Sequence, residues 1–370
     1  MQSIIQPIFI KSLPSYALIL VLSLIAISCN GQKDILDTNS DVEAMLANIQ
    51  TEVDSYFVYE YEQSKFVPPA GKTLLIMGQT LEDINDYTRA FPDQPVPGGW
   101  SAYWGVPEFS GITDTYKNQN GSSHNHQNLV NRFPNTVIHS GMWMVGTWDV
   151  AKNTAKGDYD KVIKKYSDWA KSIDRPIYLR IGYEFDGPHN ELEPKEYVKA
   201  YRHVVDLMRA EGVENVAFVW HSYIFEPYKN HALADYYPGD EYVDWVGISL
   251  FGLLYQDAEL LLHGDAVMEF AKTHKKPVMA AEASPTSGIR AGDLEVWNSW
   301  FVNFFSVCYR KNIKAISFIN ANWESYTFEG VDWKDARLNN NKMISDAWFL
   351  ETSKDHYLKQ SPDLFEQLGY

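Results

Sequence analysis

The 370-residue chain has only two cysteines, Cys29 and Cys308, which excludes a disulfide scaffold and a cysteine-rich metal site. Basic residues are outnumbered 48 to 32 by acidic ones, giving a formal charge of −16, and they gather in no block or stripe. The electrostatic footprint of a nucleic-acid binder is therefore missing, and polyanionic ligands are disfavoured in general. No glycine-rich phosphate loop follows the first strand-like run: Met77-Gly78-Gln79-Thr80 fits neither the GxGxxG nor the GxxxxGK(S/T) pattern, which counts against dinucleotide and P-loop chemistry. Beyond the N-terminus no apolar run is long enough to span a bilayer, and there is no internal repeat or low-complexity segment. What the chain does have is aromatic residues, 14% in all, with 12 Trp and 23 Tyr. Such flat, amphipathic rings suit a cleft for a ring-shaped, polar ligand as well as they suit a packed core.

The two cysteines have unrelated contexts. Lys11, the apolar stretch from Tyr16 to Ile27, and Ser28 make residues 1–28 a secretory signal rather than part of the fold. Ala26-Ile27-Ser28-Cys29 resembles a bacterial lipobox, in which cleavage before Cys29 frees its thiol for lipidation. The polar start of the mature chain, with Lys33-Asp34 and Asp37, is similar to the export tag of surface lipoproteins. The expected location is thus the outer membrane, with the chain held there by lipid. Cys308 shares a helical stripe with Trp297, Trp300, Phe301, Phe304 and Phe305, and core packing accounts for it.

Residues 29–72 read as a tether followed by a helix from about Asp41 to Tyr61, closed off by Pro68-Pro69. From residue 73 to 352, short apolar runs rich in β-branched and aromatic residues begin near Thr73, Ser101, Thr136, Ile177, Val216, Val243, Pro277 and Ala315. Helical patterns separate most of them. Pro194 opens one whose apolar face is Tyr197, Val198, Tyr201, Val204, Val205 and Met208, and Gly212 closes it. Eight βα units in this length predict a (β/α)8 TIM barrel, with 353–370 as a C-terminal tail. The Pro-, Gly-, Ser- and Asn-rich stretch 92–123 is expected to add long loops to one rim.

Active sites of such barrels lie at the C-terminal ends of the strands. In the fourth strand Ile177, Leu179 and Ile181 share one face, while Arg180, Gly182 and Glu184 share the other. In the seventh, Val278, Ala280 and Glu282 are expected to face one way, with small residues clearing space around the carboxylate. Glu184 and Glu282 should then meet across the mouth. Paired carboxylates are what retaining glycoside hydrolysis requires, and Arg180 is placed to keep one of them ionised. Salt-bridged strand-end carboxylates are the alternative, since Glu108, Asp149, Glu226 and Glu324 also lie near strand ends. His124 and His126, two apart in a loop, lack a third ligand nearby, so neither a metal nor another cofactor is expected.

The segments Arg180-Ile181-Gly182-Tyr183-Glu184-Phe185-Asp186-Gly187 and Pro194-Lys195-Glu196-Tyr197 resemble the acid/base region of glycoside hydrolase family 26, retaining (β/α)8 endo-glycanases. Asn215-Val216 through Trp220, Tyr236-Tyr237-Pro238-Gly239-Asp240 with Val243-Asp244-Trp245, and Lys276-Pro277-Val278-Met279-Ala280-Ala281-Glu282 are similar to its fifth, sixth and seventh strand regions. The resemblance spans roughly Thr73 to Leu350. It implies Glu184 as acid/base and Glu282 as nucleophile. The family usually places His before the acid/base and Asn two residues after it, where this chain has Tyr183 and Asp186. Ser249-Leu250-Phe251 stands where the family offers the nucleophile a tyrosine, so Tyr255 or Tyr223 is expected to supply that contact.

Around the glutamates, Arg180, Tyr183 and Asp186 are expected to line the substrate site. Trp143, Trp220, Tyr223 and Trp323 are expected as sugar platforms, and His139 and His221 either bond sugar hydroxyls or sit satisfied in the core. The resulting expectation is an exported, monomeric endo-β-glycanase acting on β-1,4-mannan. β-1,3-Xylan and mixed-linkage β-glucan are the alternatives within the family. Outside it stands a non-catalytic, glycan-binding surface lipoprotein, motivated by Tyr183 and Phe251.

Overall fold

The computed structural model describes residues 38–225, 227–251, 262–327 and 332–370. Cys29, Glu226 and Tyr255 lie outside the described residues. Each of the eight apolar runs forms a strand: β1 (Thr73–Gly78), β2 (Gly99–Gly105), β3 (Val137–Trp143), β4 (Ile177–Ile181), β5 (Val216–Ser222), β6 (Trp245–Phe251), β7 (Val278–Ser284) and β8 (Ala315–Phe318). Each pairs in parallel with the next, and β8 returns to β1 through Leu74↔Ala315, closing the barrel. Helices run between strands, among them α2 (Leu81–Ala90), α3 (His126–Arg132), α4 (Val150–Ala155), α5 (Asp160–Ile173), α6 (Pro194–Ala210), α7 (Leu262–Thr273) and α8 (Val302–Arg310). This is the (β/α)8 barrel expected from the alternation.

Strand alternation sorts the core into two layers. Leu74, Ile76, Val137, Tyr178, Ala217, Val219, Trp245, Met279 and Ala281 fill the lumen. Leu75, Ile138, Ile177, Leu179, Ile181, Phe218, Trp220, Val246, Ile248, Val278 and Ala280 pack outward against the helices, where the Trp297-to-Cys308 stripe also lies. The seventh strand departs from the expected pattern. Val278 and Ala280 belong to the outer layer, and Glu282 reaches the mouth only because the register slips: Ile248 faces Ala280, but Ser249 faces Glu282. The same extra residue recurs on the other side, where Ile316 faces Ala280 and Phe318 faces Ala283. A bulge at Ala281 thus resets the alternation at the point where the carboxylate is needed.

Two further expectations are corrected. The N-terminal helix, α1 (Thr38–Leu46), stops early. The following stretch of Thr, Val, Tyr and Phe has poor helix propensity and is pinned along α8, with Gln50 N donating to Ser306 Oγ and Asp54 N to Arg310 O. Residues 353–370 are no appended tail. Tyr357–Leu358 forms a short strand, β9, parallel to the start of β1, and Leu364 and Leu368 join Phe66 in plugging the N-terminal end of the barrel.

At the C-terminal end, the loops after β3 and β4 are locked together. Gly146 N donates to Asn190 O at 2.8 Å, and a Cβ on Gly146 would fall onto the Glu191 carbonyl. Gly146→Ala is therefore expected to lower stability by about 1–3 kcal/mol, as backbone has to move to admit the methyl group. Urea denaturation of the variant against the parent chain checks this.

Candidate active site

Glu184 follows the end of β4 on a backbone bent twice into the left-handed region, at Gly182 (φ 56°) and at Glu184 itself (φ 51°). Gly182 is required there, since a Cβ would meet Met144 Cε at 2.7 Å and Tyr197 Cε2 at 3.0 Å. The strained turn is held by its own loop: Gly187 N donates to Glu184 O, and Asn190 Nδ2 donates to the carbonyls of both Tyr183 and Glu184. Both carboxylate oxygens are engaged. Ser249 Oγ donates to Oε1 at 2.5 Å, and His189 Nε2 lies 2.8 Å from Oε2.

Glu282 emerges opposite, 7% exposed, and its Oε1 takes two strong donors. One is the Arg180 guanidinium, fully buried on the lumen face of β4. The other is Tyr103 Oη of β2, at 2.5 Å. Tyr103 Oη also lies 2.7 Å from the Gln79 side-chain amide. A phenol has one proton, so Glu282 Oε1 and Gln79 Oε1 are alternative acceptors for it. Arg180 stacks over the rings of Tyr103 and Tyr183, 4.8 and 5.4 Å from their centroids. Gly141 makes room for this stack, because a Cβ there would sit 2.5 Å from the Tyr103 ring.

Electrostatics distinguishes the two carboxylates. Burial pushes Glu282 above the ordinary carboxylate range, and the Glu184 charge adds to that push. Arg180 and the Tyr103 bond pull the other way, and they are what favours the ionised form. Glu184 has a half-exposed histidine and a hydroxyl as partners instead of a buried cation.

The remaining sequence-predicted residues divide sharply. His221 Nε2 is 3.0 Å from Ser249 Oγ, so it donates to the hydroxyl that in turn holds Glu184 and acts at one remove from any sugar. His139 is fully buried beneath Arg180, with its pKa held well below the usual histidine value first by burial and then by Arg180 and His221. Asp186 accepts from Ser222 Oγ, Tyr223 N and His263, all within 3.2 Å, and is 1% exposed. It ties down the loop after β5 and offers no open oxygen to a ligand. Trp220 is corrected outright: it is fully buried on the outer face of β5, stacked on Phe185, with Nε1 donating to Tyr236 O. Trp323 is 3% exposed and donates to Ser284 Oγ amid Phe251 and Trp333. Tyr183, Trp143 and Tyr223 are partly open at the mouth. Beside Trp143 lies Trp148, 68% exposed, with ring centroids 5.6 Å apart. His126 is buried with both ring nitrogens bonded, to Gly111 O and Ser140 Oγ, and His124 lies against Ser122 Oγ; burial pushes them down to about 4 and about 3.

Sequence reasoning missed Tyr103, Ser249, His189 and Gln79 as site residues. The tyrosine that reaches Glu282 comes from β2, and Tyr223 makes no such contact, being turned toward His189 and Phe225. Tyr103→Phe removes a donor that lowers the Glu282 pKa. The variant is therefore expected to lose about 10- to 100-fold in kcat/KM, with the acidic limb of its pH profile displaced to higher pH. Initial rates from about pH 4 to 9 check both.

The sequence profile of glycosyl hydrolase family 26 matches residues 161–317, which hold Glu184 and Glu282. A β-1,3-xylanase of a Vibrio species is 30% identical over 331 residues, covering 83% of this chain and 70% of that protein. A β-1,3-xylanase of an Alcaligenes species is 28% identical, covering 83% and 68%. Among solved structures, a family 26 β-mannanase from Bacteroides ovatus superposes with a TM-score of 0.55 at 16% identity, over 80% of this chain and 93% of that one. A modular endo-β-1,4-mannanase from Cellulomonas fimi gives 0.55 at 14% identity, over 87% and 79%. The chain belongs to glycosyl hydrolase family 26 and is a glycoside hydrolase of polysaccharides.

Proposed function

We propose that this enzyme is a retaining endo-β-glycanase whose polymer is β-1,3-xylan. The observation that carries the mechanism is the unequal environment of two buried carboxylates at the mouth. Glu282, bound by a guanidinium and a phenol, is the nucleophile that attacks the anomeric carbon. Glu184 protonates the departing glycosidic oxygen. Water then hydrolyses the glycosyl ester on Glu282, with Glu184 now a carboxylate that takes the proton from that water. Net, one glycosidic bond and one water become two chain ends, and configuration is retained.

The choice of β-1,3-xylan over β-1,4-mannan rests on relatedness. The relatives named for β-1,3-xylan match at 30 and 28% identity over most of the chain. The mannanase structures share 14–16% identity and support the barrel alone. A glycan-binding protein without turnover has no use for two such carboxylates, and family membership sets that reading aside.

Reducing-end release by the purified chain on β-1,3-xylan, galactomannan and lichenan tests this. Release is expected from β-1,3-xylan and is abolished by Glu282→Ala. Glu184→Ala is expected to recover cleavage of an activated aryl glycoside when azide is supplied, with the β-glycosyl azide as product. Release from galactomannan alone overturns the choice of polymer.

The reading also includes export and lipid attachment at Cys29, supported by Lys11, the apolar run to Ile27 and the residues Ala26-Ile27-Ser28 before the cysteine. Cells fed radiolabelled palmitate are expected to label the chain. Cys29→Ala is expected to abolish the label and move the enzyme from the membrane to the soluble fraction.

A further inference from the structure

His189 is the histidine nearest the chemistry, and no motif predicts it. It lies five residues past Glu184 in the loop Gly187-Pro188-His189-Asn190, with Nε2 2.8 Å from Glu184 Oε2. Its placement is built rather than incidental. Gly187 is needed because a Cβ there would meet the His189 ring at 2.5 Å. Asn190 N donates to Gly187 O, Asn190 O accepts from Gly146, and Asn190 Nδ2 grips the carbonyls of Tyr183 and Glu184. The ring is 45% exposed toward the mouth, and its edge meets the Tyr223 ring at 4.9 Å.

We propose that His189 is the positioning residue of the acid/base: its Nε2–H bond fixes Glu184 Oε2 and stabilises the carboxylate left when the proton passes to the glycosidic oxygen. This inference rests on the assignment of Glu184 as acid/base. Oε1 is held by Ser249, which leaves Oε2, the oxygen that meets His189, to carry the transferred proton. That oxygen accepts from His189 while it carries its own proton to the leaving group. The proton moves from Oε2 to the glycosidic oxygen, the C–O bond breaks toward the departing chain, and the imidazole N–H remains bonded to the new carboxylate.

Burial pulls the imidazole down, but the bond to Glu184 and the charges of Glu184, Glu282 and Asp186 outweigh it and hold His189 above its ordinary value. Its other neighbours are His221 from β5 and Tyr223 just after it, with His263 from α7 reaching it through Asp186. His189 therefore keeps its proton to higher pH than a free imidazole does, and the basic limb of the pH profile reports its loss.

The test compares His189→Ala, His189→Gln and Glu184→Ala on β-1,3-xylan and on 2,4-dinitrophenyl β-xylobioside, whose leaving phenolate needs no proton. Thermal melts confirm that each variant is folded. His189→Ala is expected to lose about 10- to 100-fold in kcat/KM on the polymer while staying near the parent on the dinitrophenyl glycoside. His189→Gln, which keeps a donor but cannot titrate, is expected to recover most of the polymer rate with its basic limb displaced to lower pH. If Glu184→Ala displays this split between substrates and His189→Ala does not, or if the basic limb stays put in both His189 variants, the proposal is overturned alone. If Glu184→Ala displays no split, the acid/base assignment fails and the proposal fails with it.

Discussion

A guanidinium with no access to water sits in the middle of this barrel, and the site is organised around satisfying it. Arg180 is fully buried on the lumen face of β4, and an unpaired ion there would cost several kcal/mol. Its counter-ion is the proposed nucleophile, so the requirements of folding and of chemistry fall on the same contact. The surrounding architecture follows from it. Tyr103 and Tyr183 flank the cation with ring faces, Gly141 stays small so that they fit, and the bulge in β7 turns Glu282 inward to meet it. Breaking such a pair from either side leaves an uncompensated charge, so truncating Glu282 acts on stability as well as on its proposed role as nucleophile.

The barrel was legible because its signal is periodic. Eight apolar runs separated by helical patterns survive any local irregularity, and β4 alternates cleanly, placing Ile177, Leu179 and Ile181 outward and Arg180 inward. β7 was not legible in the same way. Strict alternation puts Glu282 on the face of Val278 and Ala280, and the structure puts those two outside. What marks Glu282 in the sequence is its position at a strand end, not its parity with Val278 and Ala280. A bulge leaves little trace in a run such as Val278-Met279-Ala280-Ala281, where every residue is apolar and either face accepts it.

Site residues failed for a different reason. Trp220 and His221 are adjacent on one strand, so the two cannot both face the lumen; once His221 is assigned to it, Trp220 has to pack outward. Parity alone decides between the two. Tyr103 and His189 were not accessible in this way, because each is recognised by what it touches. Tyr103 reaches a carboxylate 179 positions later in the chain, and His189 is positioned by a loop whose shape depends on Gly146 across the gap after β3.

The unequal treatment of the two carboxylates follows from strand geometry. A residue inside a strand, such as Arg180 or Tyr103, is held by the sheet on both sides and points into a dry lumen, where a charge–charge contact is strong and invariant. Glu282, brought in by a bulge within β7, stays under that control. Glu184 lies beyond the end of β4 on left-handed backbone, and its partners are a strand hydroxyl on one oxygen and a loop imidazole on the other. A nucleophile has to remain ionised in every state before attack, which suits partners that do not titrate. An acid/base has to change protonation twice per turnover, which suits a partner that does. On the proposed roles, the barrel thus places the nucleophile in the rigid strand layer and the acid/base in the loop layer above it.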